Sequence, residues 1–191
     1  MLSDMTRLEA AYNDIYKLHA PHIETTSARV KPMLVVFSAI PGSGKSELTK
    51  RLVNEHGFLR IANKDIRESI AKTHHEDDVN IGEYTLWLLD RLIEQKTFSI
   101  VFDRNIDQWY IPSKEWAERN GYTYVLVQID VRREILEQRL LKREKDPKAK
   151  AFEVLDFYAE KHDDIKTHLS PTFILEDNYD LEEAAKTIAG F

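Results

Sequence analysis

The stretch MLVVFSAIPGSGKSELTK runs from Met33 to Lys50 and holds three patterns in succession. It begins with an uninterrupted apolar run, which is typical of a strand buried on both faces of a sheet. The run breaks at Pro-Gly-Ser-Gly, and a segment of helical period follows. The stretch therefore predicts a buried strand, a tight glycine-rich loop and a helix, in that order.

The loop fits the pattern G-x-x-x-x-G-K-[ST] at its last three positions, Gly44, Lys45 and Ser46. In that pattern backbone N–H groups converge on phosphate oxygens, the lysine reaches the β- and γ-phosphates, and the hydroxyl binds Mg²⁺. Ala39 replaces the first glycine, which is compatible with the loop only if its φ stays negative. An ordinary strand-to-helix turn is the alternative, but the flanking strand and helix are the context that a phosphate loop requires. We therefore expect ATP and Mg²⁺ to bind at Pro41, Gly42, Ser43, Gly44, Lys45 and Ser46.

Length and composition predict a single domain, since 191 residues that are 42% hydrophobic can form one sizeable core. Within it, residues 1–30 are expected to form an N-terminal helix and linker, and residues 31–191 the main domain. The chain has no cysteine, which favours a cytoplasmic location. No apolar stretch is long enough to span a bilayer, so no membrane partner is expected. A net charge of −6 argues against a protein that coats nucleic acid by charge alone.

Short apolar runs alternate with segments of helical period along the rest of the chain. The runs are MLVVFS, FLRIA, FSIVFD, YTYVLVQI and TFILE. Such alternation predicts an α/β fold with three layers, in which helices cover both faces of a five-stranded parallel sheet. Apolar residues at three- and four-residue steps near the start of the chain predict one extra N-terminal helix.

Polar residues follow the second and third predicted strands, at the sheet edge where open α/β proteins place their chemistry. Asp65 is a candidate catalytic base there, although with Glu68 three residues later it also fits a helix N-cap. Asp103 is a candidate Mg²⁺ ligand, directly or through water, with the capping of a turn as the alternative. Arg104 and Asn105 come next and are candidates for substrate contact.

The segment DVRREILEQRLLKREKDPKAK carries an unusual arginine pattern. A helix of about 100° per residue places Arg132, Arg139 and Arg143 in one narrow stripe between apolar side chains. Arginines in an apolar arc should face inward, where a guanidinium needs an anionic partner such as a triphosphate. A solvated, charged helix is the alternative.

Together these residues resemble the P-loop kinases of the polynucleotide 5′-kinase and zeta-toxin type. The resemblance runs from about Met33 to Tyr158 and covers four motifs: the PGSGKS loop, NKD, DRN, and a segment similar to the family's arginine-bearing lid and following helix. It implies that Asp65 accepts the proton of an attacking hydroxyl and that Arg139 and Arg143 contact nucleotide phosphates. It also matches Asp103 to the family's aspartate at the third strand.

Polynucleotide kinases carry N-x-D-D-x-R where this chain reads NKDIRE, so Arg67 comes one residue early and the second Asp is missing. Arg67 is still a candidate substrate contact, but the match to nucleic-acid recognition is weaker. We expect a kinase that transfers the γ-phosphoryl group of ATP to a hydroxyl, with Lys45, Asp65, Arg139 and Arg143 as its catalytic residues. The metal would be bound by Ser46 and Asp103.

Two acceptor classes are open, a nucleic-acid 5′-hydroxyl and a small molecule such as a nucleoside, a sugar or an antibiotic. A zeta-toxin-like activity on a nucleotide sugar belongs to the second class. From a different functional class, an ATP-binding switch or ATPase module is also compatible with the phosphate loop. The sequence makes no prediction about oligomeric state.

Overall fold

Five strands form one sheet in this structure, a computed structural model that describes residues 2–19, 26, 31–75, 77–95, 98–105, 109–143 and 150–191. The strands are β1 (Met33–Ala39), β2 (Leu59–Ile61), β3 (Ile100–Asn105), β4 (Thr123–Ile129) and β5 (Phe173–Leu175). All neighbouring pairs are parallel, in the order β2-β3-β1-β4-β5. The predicted five-stranded parallel sheet is therefore confirmed.

The described residues contain eight helices. They are α1 (Leu2–His19), α2 (Lys45–His56), α3 (Asn63–Thr73), α4 (Ile81–Gln95), α5 (Tyr110–Arg119), α6 (Arg133–Arg143), α7 (Lys150–Lys166) and α8 (Leu181–Ala189). None of these described helices is both long enough and apolar enough to cross a membrane. Apart from residue 26, the segment between residues 20 and 30 that we predicted as a linker lies outside the described residues.

β1 is the central strand, and every one of its residues is buried. Leu34 and Val36 contribute to one hydrophobic cluster, together with side chains of α1, α3, α4 and α5. Val35 and Phe37 contribute to a second cluster, together with side chains of α2, α6, α7 and α8. Because successive side chains of a strand point to opposite faces, the two clusters lie on the two sides of the sheet. This is the predicted three-layer architecture.

The register between β1 and β3 changes near the carboxyl ends of the two strands. Val35 pairs with Val101, whereas Phe37 pairs with Asn105, so β3 has two more residues than β1 over this interval. An irregularity of this kind bends the strand and redirects its side chains. Asp103 lies within it, which is why a strand-end carboxylate can turn toward the loop that follows β1.

α1 packs onto the same core as the rest of the chain. The Tyr12 ring lies 5.2 Å from the Tyr84 ring and 5.1 Å from the Trp87 ring, both edge-on, between ring centroids. Tyr12 is 5% exposed, and Ile15 is fully buried. The predicted N-terminal helix thus exists, and its apolar face packs against α3 and α4.

A chain of polar side chains joins α7 to β1. Ser38 Oγ lies 3.0 Å from His162 Nδ1, and His162 Nε2 lies 3.0 Å from Asp130 Oδ1. Asp130 also accepts a hydrogen bond from Gln128 Nε2 at 2.8 Å and pairs with Lys166 Nζ at 2.7 Å. Burial lowers the pKa of His162, and the hydrogen bond to Asp130 opposes this shift. The ring is therefore neutral at pH 7, with Nε2 donating to Asp130 and Ser38 donating to Nδ1.

Candidate active site

The phosphate loop, residues 40–46, connects β1 to α2. Gly42 has φ of 89° and Gly44 has φ of 99°, a region that side chains rarely adopt. A Cβ on Gly44 would lie 2.8 Å from Tyr179 Oη, and a Cβ on Gly42 would lie 3.3 Å from Leu140 Cγ. Ala39 is not among the described residues with positive φ, which agrees with the condition stated for it above. The loop therefore needs glycine at its two inner positions and tolerates alanine at its first.

Lys45, Ser46 and Asp103 form the centre of the site. The Asp103 side chain is only 4% exposed. Its Oδ1 accepts hydrogen bonds from Lys45 Nζ and, at 3.1 Å, from Ser46 Oγ. Burial alone would raise the pKa of Asp103, but Lys45 and Arg60 outweigh it and hold the pKa below its usual range. Burial lowers the pKa of the Lys45 ammonium, with Asp103 opposing that shift.

Arg60 connects this centre to Asp65. Its Nε and Nη2 donate to Asp103 Oδ2 at 3.0 and 2.7 Å, and its Nη1 donates to Asp65 Oδ2. The Arg60 side chain is 30% exposed and the Asp65 side chain 40%. Asp65 is the third residue of α3, whose N-cap is Ala62. The alternative that Asp65 caps this helix is therefore wrong, because the helix begins two residues before it.

Two side chains approach the phosphate loop from the other side of the site. Arg139 Nη1 donates to Ser43 O at 3.2 Å and to Gly42 O at 3.4 Å. Tyr179 Oη donates to Ser43 O at 3.3 Å, and burial raises the pKa of Tyr179 to about 12, with Arg139 opposing the shift. The Arg143 side chain lies outside the described residues, so its predicted role stays a prediction.

Arg132 does not join the inward stripe that we predicted for it. α6 begins at Arg133, so Arg132 precedes the helix, and its side chain is 72% exposed. Its backbone N–H donates to Asp177 Oδ1 at 2.8 Å, and its Nε donates to Asp177 Oδ2. A carboxylate outside the helix thus holds Arg132 at the surface.

A cavity of about 740 Å³ lies between these groups, lined by the phosphate loop, Asp103, Arg104, Asn105, Arg139 and Tyr179 among others. Three buried oxygens of its lining have no hydrogen-bond partner within the described part of the chain: Ser43 Oγ, Asn63 Oδ1 and Asn105 Oδ1. Buried polar atoms of this kind normally meet a ligand or an ordered water.

The residues present fit a nucleoside triphosphate and Mg²⁺. Backbone at two positive-φ glycines leaves room for phosphate oxygens, and α2 begins at the loop, so its N-terminal N–H groups favour an anion. Ser46 Oγ and the Asp103 carboxylate are adjacent oxygen ligands of the kind that Mg²⁺ takes beside a bound phosphate.

Comparison with known proteins agrees with this geometry. A family model described as an AAA domain matches residues 34–165. The chain belongs to this family. The match contains the phosphate loop, Asp65, Asp103 and Arg139, whereas α1 and Tyr179 lie outside it. No curated protein matches the chain.

Solved structures share the fold at low sequence identity. The APS kinase CysC of Mycobacterium tuberculosis, in complex with AMPPNP and APS, has a TM-score of 0.52 at 17% identity, over 84% of this chain and 96% of that one. An unliganded sugar kinase from Janibacter sp. HTCC2649 has a TM-score of 0.56 at 17% identity, over 84% and 93%. An uncharacterized protein from Eubacterium ventriosum ATCC 27560 has a TM-score of 0.55 at 15% identity, over 83% and 96%. The predicted P-loop kinase fold is confirmed, while the polynucleotide-kinase or zeta-toxin type stays a prediction.

Of the remaining predicted site residues of this AAA-domain chain, some line the cavity and one does not. Arg104 and Asn105 both line the cavity, and the Arg104 guanidinium lies 5.6 Å from the centre of the Trp109 ring. Arg67 is exposed on α3 and is not part of the cavity lining. We therefore keep Arg104 and Asn105 as candidate substrate contacts, while no contact within the described part of the chain supports the predicted role of Arg67.

Sequence reasoning missed Arg60 and Tyr179. Arg60 had a visible signal, because it is the one charged residue in the apolar run FLRIA, and an arginine in a strand next to a site needs an anionic partner. Tyr179 had none, since a tyrosine in the polar stretch EDNYD is ordinary and its contact with the loop spans 136 residues of chain.

Proposed function

We propose that this protein is an ATP-dependent kinase that transfers the γ-phosphoryl group to a hydroxyl acceptor. The observation that carries the proposal is a pair of carboxylates linked to the phosphate loop, one directly and the other through an arginine. Asp103 contacts Lys45 and Ser46, and Asp65 is held beside Asp103 by one guanidinium. A nucleotide-binding module with no acceptor would need the first carboxylate but has no evident use for the second.

Each residue has a distinct part in the proposed reaction. Asp65 accepts the proton of the acceptor hydroxyl while that oxygen bonds to the γ-phosphorus, and the bond to the β,γ-bridging oxygen breaks to release ADP. Lys45 and the loop N–H groups bind the phosphates, and Arg139 stabilises the negative charge that develops. Ser46 and Asp103 would hold Mg²⁺, which neutralises phosphate charge when it is bound.

The acceptor that the described surface favours is a small molecule. A polynucleotide needs cationic side chains that are available to its phosphates. Arg132 is engaged by Asp177, while Arg133 donates to Glu137 at 2.8 Å and pairs with Asp156 at 2.5 Å. These two arginines, one just before α6 and one at its first residue, are therefore neutralised by carboxylates of the same chain. Together with a net charge of −6, this supports a nucleoside, sugar or antibiotic over a nucleic-acid end.

The test is an acceptor panel with γ-labelled ATP and Mg²⁺. The panel contains nucleosides, sugars, hydroxyl-bearing antibiotics and a 5′-hydroxyl oligonucleotide, and label transfer to each is measured. Lys45→Ala should abolish the transfer. Lys50→Ala is the matched control, because Lys50 lies on the same helix, is 61% exposed and pairs only with Glu47 among its described contacts. It should retain full activity.

Two results would contradict the proposal. ATP hydrolysis that no acceptor changes, with no label transferred, would favour an ATP-binding switch or ATPase module. Failure of the wild-type protein to bind any nucleotide would contradict both the kinase and the ATPase or switch function. Transfer to the oligonucleotide alone would keep the kinase and overturn the choice of a small-molecule acceptor.

A further inference from the structure

Arg60 occupies a position between two carboxylates that the proposed reaction uses differently. It is the middle residue of β2, with buried residues on either side of it in the strand. Two of its donors bind Asp103 Oδ2, at 3.0 and 2.7 Å, and a third binds Asp65 Oδ2. One planar guanidinium thus fixes the relative positions of both acids.

Neutralising buried charge does not account for all of these contacts. Asp103 is 4% exposed and needs cationic partners, which Lys45 and two donors of Arg60 supply. Asp65 is 40% exposed and can be solvated without any partner. The third donor of Arg60 nevertheless binds Asp65. This hydrogen bond connects the two carboxylates and is not needed to compensate a buried charge.

The same side chain also lies between two cavities. Asp103 lines the phosphate cavity, whereas Arg60 and Asp65 line a second cavity of about 640 Å³ along β2 and α3. Asp65 is not part of the lining of the phosphate cavity. Among the described contacts, Asp65 is linked to the phosphate cavity through the Arg60 guanidinium and Asp103.

We propose that Arg60 is a positioning residue that couples the acceptor carboxylate, Asp65, to the nucleotide site. The inference rests on the proposed function for the roles of the two acids. Lys45, Arg60, Asp65 and Asp103 carry two positive and two negative charges, so the set is balanced. Loss of the Asp65 charge leaves the Arg60 guanidinium with an uncompensated positive charge beside Asp103 and the phosphate cavity, which favours bound phosphates only while Arg60 is present.

A double-mutant cycle on nucleotide binding tests the coupling without any acceptor. The dissociation constant of ADP is measured by calorimetry in EDTA for wild type, Asp65→Asn, Arg60→Gln and the double variant. We expect Asp65→Asn to tighten ADP binding by about fivefold or more when Arg60 is present, and by less than about twofold when it is replaced, so that the coupling is at least about 2.5-fold, as for contacting pairs in such cycles.

Glu68→Gln is the matched control for the loss of a nearby negative charge. Glu68 lies one turn after Asp65 on α3 and lines the same second cavity, but its described ion pair is with Lys64 at 3.6 Å. It should leave ADP binding within about twofold of wild type in either background. An effect equal to that of Asp65→Asn would mean that long-range charge, and not Arg60, carries the coupling.

Arg60→Lys keeps the test valid if Arg60→Gln does not fold. Lysine retains the charge that Asp103 needs, but its compact ammonium cannot hold both carboxylates in the fork geometry of arginine. We expect Arg60→Lys to unfold at the wild-type melting temperature and to abolish the coupling between Asp65 and nucleotide binding. Additive effects in the cycle, with ADP still bound by wild type, would overturn this inference alone. Absence of ADP binding by wild type would overturn the proposed function with it.

Discussion

Replacement of Gly44 by alanine should impair nucleotide binding more than it impairs folding. Gly44 has φ of 99°, and Gly57, which ends α2, has φ of 67°. A side chain in the left-handed region costs about 1–2 kcal/mol, which corresponds to a fall in Tm of roughly 2–8 °C for a chain of this size. Gly57 lies within the left-handed region that side chains can adopt, whereas Gly44 lies beyond it, so the cost at Gly44 is at least as large and Gly57→Ala controls for the smaller strain.

The two sites differ in what a new Cβ would meet. At Gly57 no atom of the described residues lies within 4 Å of the added Cβ, whereas at Gly44 the Cβ would lie 2.8 Å from Tyr179 Oη. Tyr179 must then move, which removes its hydrogen bond to Ser43 O. The loop N–H groups are displaced as well, and the loss of one hydrogen bond to a charged phosphate costs about 1.5–3 kcal/mol, which is roughly tenfold or more in affinity. We expect Gly44→Ala to weaken ADP binding by about tenfold or more, and Gly57→Ala to leave it within about twofold.

Calorimetry with ADP and thermal unfolding by circular dichroism separate the two effects. Tyr179→Phe combined with Gly44→Ala should recover part of the lost affinity, because the next ring atom, Cζ, lies 3.7 Å from the added Cβ. The reasoning would be refuted if Gly44→Ala bound ADP like wild type, or if Gly57→Ala lost as much affinity as Gly44→Ala.

Four other substitutions test the site and its support. Lys45→Ala should abolish phosphoryl transfer but still fold, because Arg60 continues to neutralise the buried Asp103. Transfer assays and the Tm measure the two effects. A variant that is unfolded would contradict the expectation. Arg139→Ala should lower kcat by about a hundredfold and weaken ATP binding by less, as measured by steady-state kinetics and calorimetry. Equal losses in kcat and in ATP affinity would mean that Arg139 only binds the nucleotide. Asp65→Asn should reduce transfer by about a hundredfold or more while Tm stays within about two degrees, and unchanged transfer would mean that the base is elsewhere. Burial lowers the pKa of His162, so the unfolded chain binds more protons than the folded one at acid pH, and stability should fall as the pH drops below about 6.5, by at most about 1.4 kcal/mol per pH unit. His162→Gln should reduce this dependence of stability on pH in unfolding experiments from pH 7.5 to 5.5. An unchanged dependence would mean that other groups cause it.

The parts of this protein that the sequence predicts well are those encoded by local pattern. The apolar run of β1 and the glycines after it determine the phosphate loop, since strand period and φ are properties of neighbouring residues. Asp103 could be predicted as well, because a carboxylate at the end of a buried strand has one edge of the sheet to occupy.

Contacts between distant segments could not be predicted in the same way. The link from Arg60 to Asp103 joins β2 to β3 across 43 residues of chain, and no local periodicity encodes such a contact. The arginine stripe was extended to Arg132 because a helical wheel assumes that the helix continues. Asp177, 45 residues further along the chain, instead holds Arg132 outside the helix.

Ser38, His162 and Asp130 form a hydrogen-bonded series of the three residue types that many hydrolases use to attack esters and amides. Here the imidazole is reversed, with Nδ1 toward the serine and Nε2 toward the aspartate. Ser38 is 3% exposed and His162 4%, so no acyl group can reach the hydroxyl. A search for triads by side-chain distance alone would therefore report a hydrolase site where the serine is closed to substrate. Solvent access and ring orientation distinguish a catalytic nucleophile from a serine that only links a helix to a strand by hydrogen bonds.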